Sequence, residues 1–363
     1  MAGIYIHVPF CASFCTYCGF YSEVLRDGAL RGKYVAALRR EAASSRSFFP
    51  EGTAIRTVYF GGGTPSLLPP SDFSDICAAL ADSFDLGGVE EFTVEVNPDD
   101  ICRDGGEALL SVYRSCGVNR VSVGVQSFHD RHLKWMNRRH DAAEARRAVQ
   151  LLKDNFDNVS LDLIFGYAGL TDVEWEQDIR KAVSLGVQHI SAYQMSLDSG
   201  SMLSKLADRG RYAEPDEEVC RRQYFLLQDI LEEAGFVQYE ISNFCRPGFH
   251  SRHNSSYWVR EPYLGLGPGA HSFDGDRRRS WNADDLGRWL EGEAKEGETL
   301  SDTDIYNEKV MLGLRTSAGV DAALIGESAE HNLSFDASTG RYSIGRRDRF
   351  VSDSIIRDYL IAD

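Results

Sequence analysis

The chain has 363 residues, 43% of them apolar and 11% aromatic, which is enough to bury a sizeable core and more than one ordinary core needs. Its 39 basic and 55 acidic side chains leave a formal charge of -16, a balance that repels phosphate backbones and anionic lipid surfaces and argues against nucleic acid as a general partner. No run of about 18 apolar residues occurs, and the first residues lack the basic-then-apolar layout of a signal peptide, so a cytoplasmic protein is expected.

In chain order, β-rich runs alternate with stretches of helical periodicity, the pattern of a parallel sheet built from strand-helix units. Strand Ile4–Val8 precedes a helix over Lys33–Ser47, and strand Arg56–Phe60 precedes one over Ser71–Ser83. Strands Glu91–Val96, Arg120–Val125 and Val159–Phe165 follow, each with its helix, over Glu107–Ser115, Ala142–Lys153 and Val173–Ser184, and His189–Met195 closes the series. Roughly six repeats, short of the eight in a closed barrel, predict an α/β fold of partial (β/α)6 TIM type. Asp72 and Asp141 stand where first-turn carboxylates help, and Gly117 and Gly186 where helix ends need positive φ.

After Met195 the rhythm changes. A helix over Glu217–Ala234 leads into a Gly-, Pro-, His- and aromatic-rich segment, Tyr239–Phe273, which Pro247, Pro262 and Pro268 keep from being one regular element. A Glu- and Gly-rich stretch near Glu291–Glu298 has the composition of a linker. The expected organisation is a barrel over 1–205, a helix with a binding segment (239–273) and linker over 206–300, and a small, mainly helical unit over 301–363.

Five of the eight cysteines, Cys77, Cys102, Cys116, Cys220 and Cys245, are scattered and suit buried apolar positions; Cys11, Cys15 and Cys18 cluster in "YIHVPFCASFCTYCGFYS". Three thiolates at this spacing leave a cuboidal iron-sulfur cluster one ligand short, with one iron open. A zinc site would want a fourth protein ligand, and three unrelated core cysteines are a further alternative. Phe10, Tyr17, Gly19 and Phe20 around them have the character of a loop after a strand.

This loop, with "FGGGTPSLL", "VEVNPD", "GVNRVSVGVQSF", "SLDLIFGYAGLT" and "HISAYQMSLDSGS", resembles the radical S-adenosylmethionine superfamily, in the branch of oxygen-independent coproporphyrinogen oxidases and related heme chaperones. The resemblance implies that Cys11, Cys15 and Cys18 hold a 4Fe-4S cluster whose open iron chelates S-adenosylmethionine, and that the cofactor carries the hard chemistry. Matched residue by residue, Tyr5, Gly62 and Glu95 correspond to contacts of the cluster-bound molecule. Tyr17, Gly63, Thr64, Gln126, Arg138, Asp162 and Ala192 correspond to contacts of a second S-adenosylmethionine in the oxidase.

Two departures set the chain apart from the oxidases. They carry a fourth cysteine where Phe20 stands here, and they have an N-terminal extension ahead of the first strand. Both features, and the motif His253-Asn254-x-x-Tyr257-Trp258, resemble the heme chaperones. On that likeness His253 is the candidate axial ligand for heme iron and Tyr257 and Trp258 the pocket walls, with His271 the second candidate. The expected function is therefore heme binding and transfer to acceptor apoproteins such as membrane respiratory enzymes, with a location peripheral to the inner membrane and a homodimer as further expectations. The enzyme alternative is oxygen-independent coproporphyrinogen III dehydrogenation. The chain also lacks the family's usual proline in Gly166-Tyr167-Ala168-Gly169, which loosens that loop without removing a functional group.

Overall fold

The structure is a computed structural model that describes residues 2–326 and 332–361. Six parallel strands form its centre in sequence order: β1 (Ala2–Val8), β2 (Ile55–Gly62), β3 (Glu91–Val96), β4 (Arg120–Gln126), β5 (Asn158–Phe165) and β6 (His189–Gln194). Each coincides with an expected strand to within two residues at either end. They are buried on both faces: Ile4, Ile6, Val8, Val58, Val94, Val121 and Leu161 lie fully inside, and so do polar residues at alternating positions, such as Thr93 and Ser160.

The helices α1 (Gly28–Ser44), α2 (Pro70–Ser83), α3 (Gly106–Ser115), α4 (Ala142–Lys153) and α5 (Asp172–Ser184) follow successive strands. Helix α1 starts five residues before the expected Lys33, because Asp27 Oδ1 accepts from the Ala29 N–H at 2.9 Å and caps a first turn that carries little apolar signal. Asp141 lies one step outside the first turn of α4 as its N-cap, and it exchanges hydrogen bonds with Glu144 in a capping box. Gly117 and Gly186 take φ 91° and 69° as expected.

The later chain continues the same sheet on both edges. Beyond α6 (Glu217–Glu233), β7 (Val237–Gln238) and β8 (Asn243–Cys245) add antiparallel strands beside β6. After α7 (Arg252–Trp258) the chain crosses to the other edge. There β9 (Tyr263–Leu266) lies parallel to β1, and β10 (His271–Phe273), β11 (Arg278–Trp281) and β12 (Glu296–Thr299) extend it antiparallel into a 12-stranded sheet. The composition of Glu291–Glu298 suggested a linker, but its second half is the edge strand β12, whose polar side chains are exposed as edge strands tolerate.

The final unit has α8 (Asp302–Leu314), a three-stranded sheet and its own small apolar cluster of Val310, Leu314, Val320, Ile325, Ile344, Ile355 and Ile356. Among the described residues no helix is long and apolar enough to cross a membrane.

Candidate functional site

The loop after β1 holds Cys11, Cys15 and Cys18 as free, half-buried thiols. It is pinned on two sides: Thr16 donates its N–H to Met136 O (3.0 Å) and its hydroxyl to Trp135 O (2.9 Å), while Asn137 Nδ2 donates to Phe14 O (2.7 Å) and the Leu203 N–H to Thr16 O (2.8 Å). The thiols open into a cavity of about 430 Å³ at the C-terminal ends of the barrel strands, the face where this architecture builds its sites. Among the described residues no three His, Cys, Asp or Glu side chains stand close enough together to share a metal ion.

Gly62, Gly63, Thr64, Glu95, Gln126, Arg138, Asp162 and Tyr17 line this cavity with the cysteines. The glycines are there for lack of room. A Cβ on Gly63 would stand 2.7 Å from Phe10 O, and one on Gly62 (φ 105°) 2.6 Å from the His7 ring. Gln126 sits in the left-handed region at φ 69° where β4 bulges, an outlier that turns its side chain into the cavity.

Arg138 ties the floor together, donating to Cys15 Sγ at 3.3 Å and to Asn97 Oδ1 and Gly124 O at 2.6 Å each, while its buried Nε has no partner. Thr64 Oγ1 donates to Cys11 Sγ at 3.6 Å. Burial pushes the Glu95 carboxyl up to about 7, although the Tyr59 hydroxyl donates to it at 2.7 Å, and burial likewise raises Asp162 to about 6 against the 3.2 Å bond from Ser122. Three soft sulfur donors beside paired carboxylates, a guanidinium with a spare N–H and an open glycine edge fit an iron-sulfur cluster with a zwitterionic ligand.

A second cavity of about 630 Å³ adjoins the first and shares Phe20, Gly62 and Glu95 with it. Its walls are aromatic, with Tyr5, Tyr21, Tyr257, Tyr263 and Phe273, and Arg260, Arg279 and Glu308 at one end. Phe20 is 75% exposed at the boundary of the two cavities, a large apolar side chain left without cover. The exposed imidazole of His271 enters this cavity from β10 and stacks on Trp281 at 5.5 Å. Partial shielding from solvent by the cavity wall and the nearby Arg279 guanidinium hold it below the ordinary histidine value, in the neutral form that can ligate a metal.

Several expected residues lie elsewhere. His253 is 1% exposed at the N-terminal end of the barrel, with Nδ1 bonded to Thr57 Oγ1 and Nε2 to Tyr257 Oη, each at 2.8 Å. Glu91 at the start of β3 accepts from the N–H groups of Arg252 (2.8 Å) and His253 (2.9 Å). The motif around His253 thus plugs the barrel's lower end, a stabilising place, and both nitrogens that could ligate iron are engaged. Trp258 lines neither cavity, Tyr5 lines the aromatic one, and Ala192 is buried in β6 with its N–H on Ser242 O at 2.8 Å.

Sequence reasoning missed Asn97, Ser122, Tyr193 and Asp198 in the first cavity. Asn97 stands directly after β3 in the quoted "VEVNPD", so its strand-end position was a usable signal. Arg260, Arg279 and Glu308 gave none, since they meet only in three dimensions.

The Radical SAM superfamily model matches residues 5–182. The chain is 37% identical over 330 residues to the "Heme chaperone HemW" of Synechocystis, covering 87% of this chain and 78% of that one. It is 34% identical to the protein of the same name from Mycobacterium tuberculosis (99% and 94%), and 32% identical to the mouse "Radical S-adenosyl methionine domain-containing protein 1, mitochondrial" (100% and 82%). The Escherichia coli coproporphyrinogen III oxidase HemN shares the fold at TM-score 0.80 with 20% identity, over 99% of this chain and 89% of that one. Sequence, fold and the cysteine loop agree: the chain belongs to the radical SAM superfamily and, within it, to the HemW family.

Proposed function

We propose that the protein is a heme chaperone that carries a 4Fe-4S cluster on Cys11, Cys15 and Cys18, binds S-adenosylmethionine in the cysteine cavity and holds heme in the aromatic one. The observation that carries the heme part is an aromatic cavity of about 630 Å³ with a neutral, accessible imidazole in its wall, adjoining the cavity into which the three thiols open. The family membership supports the same reading, since relatives from several bacteria bear the heme-chaperone name.

When bound, the cluster and S-adenosylmethionine supply one-electron chemistry at the sulfonium. The chain's own residues do the rest. Gly62 and Gly63 admit the ligand to the strand edge, Arg138 offers its free Nε–H to a carboxylate, and Glu95 and Asp162 accept from an ammonium or ribose hydroxyls. On this reading His271 takes the axial role first assigned to His253, with Tyr257 remaining a wall residue and Trp258 packing outside. Heme is then passed to an acceptor apoprotein.

The fold shared with HemN favours coproporphyrinogen dehydrogenation as a second reading. Phe20 stands where that enzyme branch places a fourth cysteine, which weighs against it. Anaerobically reconstituted protein is expected to shift the hemin Soret band and to leave coproporphyrinogen III unchanged. Conversion of coproporphyrinogen without a Soret response would overturn the proposal. The His271→Ala variant should lose the ligand-field features of the bound spectrum and His253→Ala should keep them.

A further inference from the structure

Arg260 follows α7 with φ 57°, in the left-handed region. Its N–H donates to Tyr257 O at 3.1 Å and that of Glu261 to Ser256 O at 3.0 Å, so it occupies the helix-ending position where glycine is the ordinary choice. A long cationic side chain kept in that strained conformation is constrained by more than the turn. The Arg260 side chain is 10% exposed, its guanidinium lies 4.8 Å from the Phe273 ring, and it pairs with Glu308 of α8. Arg279, from β11, lies 6.0 Å from the same ring, pairs with the same carboxylate and reaches the rim residue Glu298 at 3.4 Å. Two guanidiniums thus converge on one half-shared carboxylate at the end of an aromatic slot.

We propose that Arg260 and Arg279 form an anion subsite that takes the carboxylates of a planar, porphyrin-class ligand, and that Glu308 is an internal stand-in which the ligand displaces. The inference rests on the heme reading and adds the recognition element and its competitor. The aromatic walls cover the flat apolar body of such a ligand, and its ionised side arms need buried, hydrogen-bonding cations, for which the planar guanidinium is suited. Because Glu308 belongs to the C-terminal unit, ligand entry also removes two ion pairs that tie α8 to the barrel edge.

The test compares titrations of the reconstituted protein with hemin and with hemin dimethyl ester, which keeps the macrocycle and iron but removes both charges. Wild type should bind hemin about tenfold or more tighter than the ester. Arg260→Gln/Arg279→Gln should bring the ratio of hemin to ester affinity to about one, and Glu308→Gln should raise that ratio several-fold. Equal binding of both ligands by wild type, a comparison that needs no variant to fold, overturns the subsite and leaves the heme reading standing. A preference retained in the double variant overturns it too. No spectral response to either ligand sinks both proposals.

Discussion

The two cavities touch at Phe20, Gly62 and Glu95, yet they are built in different ways. The cysteine cavity takes its residues from the ends of successive parallel strands and the loops that follow them, within the first 198 residues. Apart from the shared Gly62 and Glu95 at the ends of β2 and β3, the aromatic cavity is assembled from four separated stretches: β1 with its loop, α7 with the turn after it, the strands β9 to β11, and α8. One site is therefore fixed by the repeating barrel unit, and the other by how the later chain wraps both edges of its sheet. A barrel can in this way keep a cofactor site unchanged while the neighbouring cavity is redrawn by elements added outside it.

This contrast can be broken most sharply at the lower end of the barrel. His253→Ala removes the bonds to Thr57 and Tyr257 and leaves a buried hole, so we expect about 3 kcal/mol of lost stability in chemical denaturation with an unaltered heme spectrum. A changed spectrum with unchanged stability would return His253 to the heme site. On the cysteine side, Gly63→Ala drives a Cβ against the Phe10 and Val8 carbonyls, at 2.7 and 3.0 Å. It should cost about 2 kcal/mol and reduce retained iron, read by thermal melting and iron analysis.

Glu95 lines both cavities and responds to pH. Folded, its carboxyl keeps a proton up to about 7, whereas unfolded it releases one near 4.5. The folded state thus binds the proton more tightly, and stability falls as pH rises from about 4.5 towards 7 and stays lower above it. Glu95→Gln should stabilise the cofactor-free protein by about 1 to 2 kcal/mol at pH 8 and by almost nothing at pH 5, measured by melting at the two pH values. A gain equal at both would show that Glu95 is ionised throughout. The smallest effect belongs to the boundary: Phe20→Ala removes one exposed ring and should weaken hemin about threefold while leaving iron content intact.

The barrel was legible in the sequence because short β-rich runs alternate regularly with stretches of helical periodicity that show an apolar stripe. The cysteine site was legible because short motifs mark the strand ends, which a barrel brings together on one face. The strands β9 to β12 were not, being three or four residues long and set among glycines and prolines that read as loop. The burial of His253 was hidden for the same reason. Its motif stands beside aromatic residues that do face the cavity, and only the contacts in three dimensions, of its backbone N–H with Glu91 and of its ring with Thr57 and Tyr257, reveal that the histidine is enclosed. The pairing of Arg260 and Arg279 with Glu308 joins residues up to 48 positions apart and carries no local pattern.

If heme and the iron-sulfur cluster occupy separate, adjoining cavities, hemin titration of the Cys11→Ser/Cys15→Ser/Cys18→Ser variant beside His271→Ala will separate them. The cysteine variant should retain no reconstituted iron yet give the wild-type Soret shift, whereas His271→Ala should keep its cluster and lose that shift. Loss of heme binding in the cysteine variant, with wild-type binding in His271→Ala, would contradict that separation.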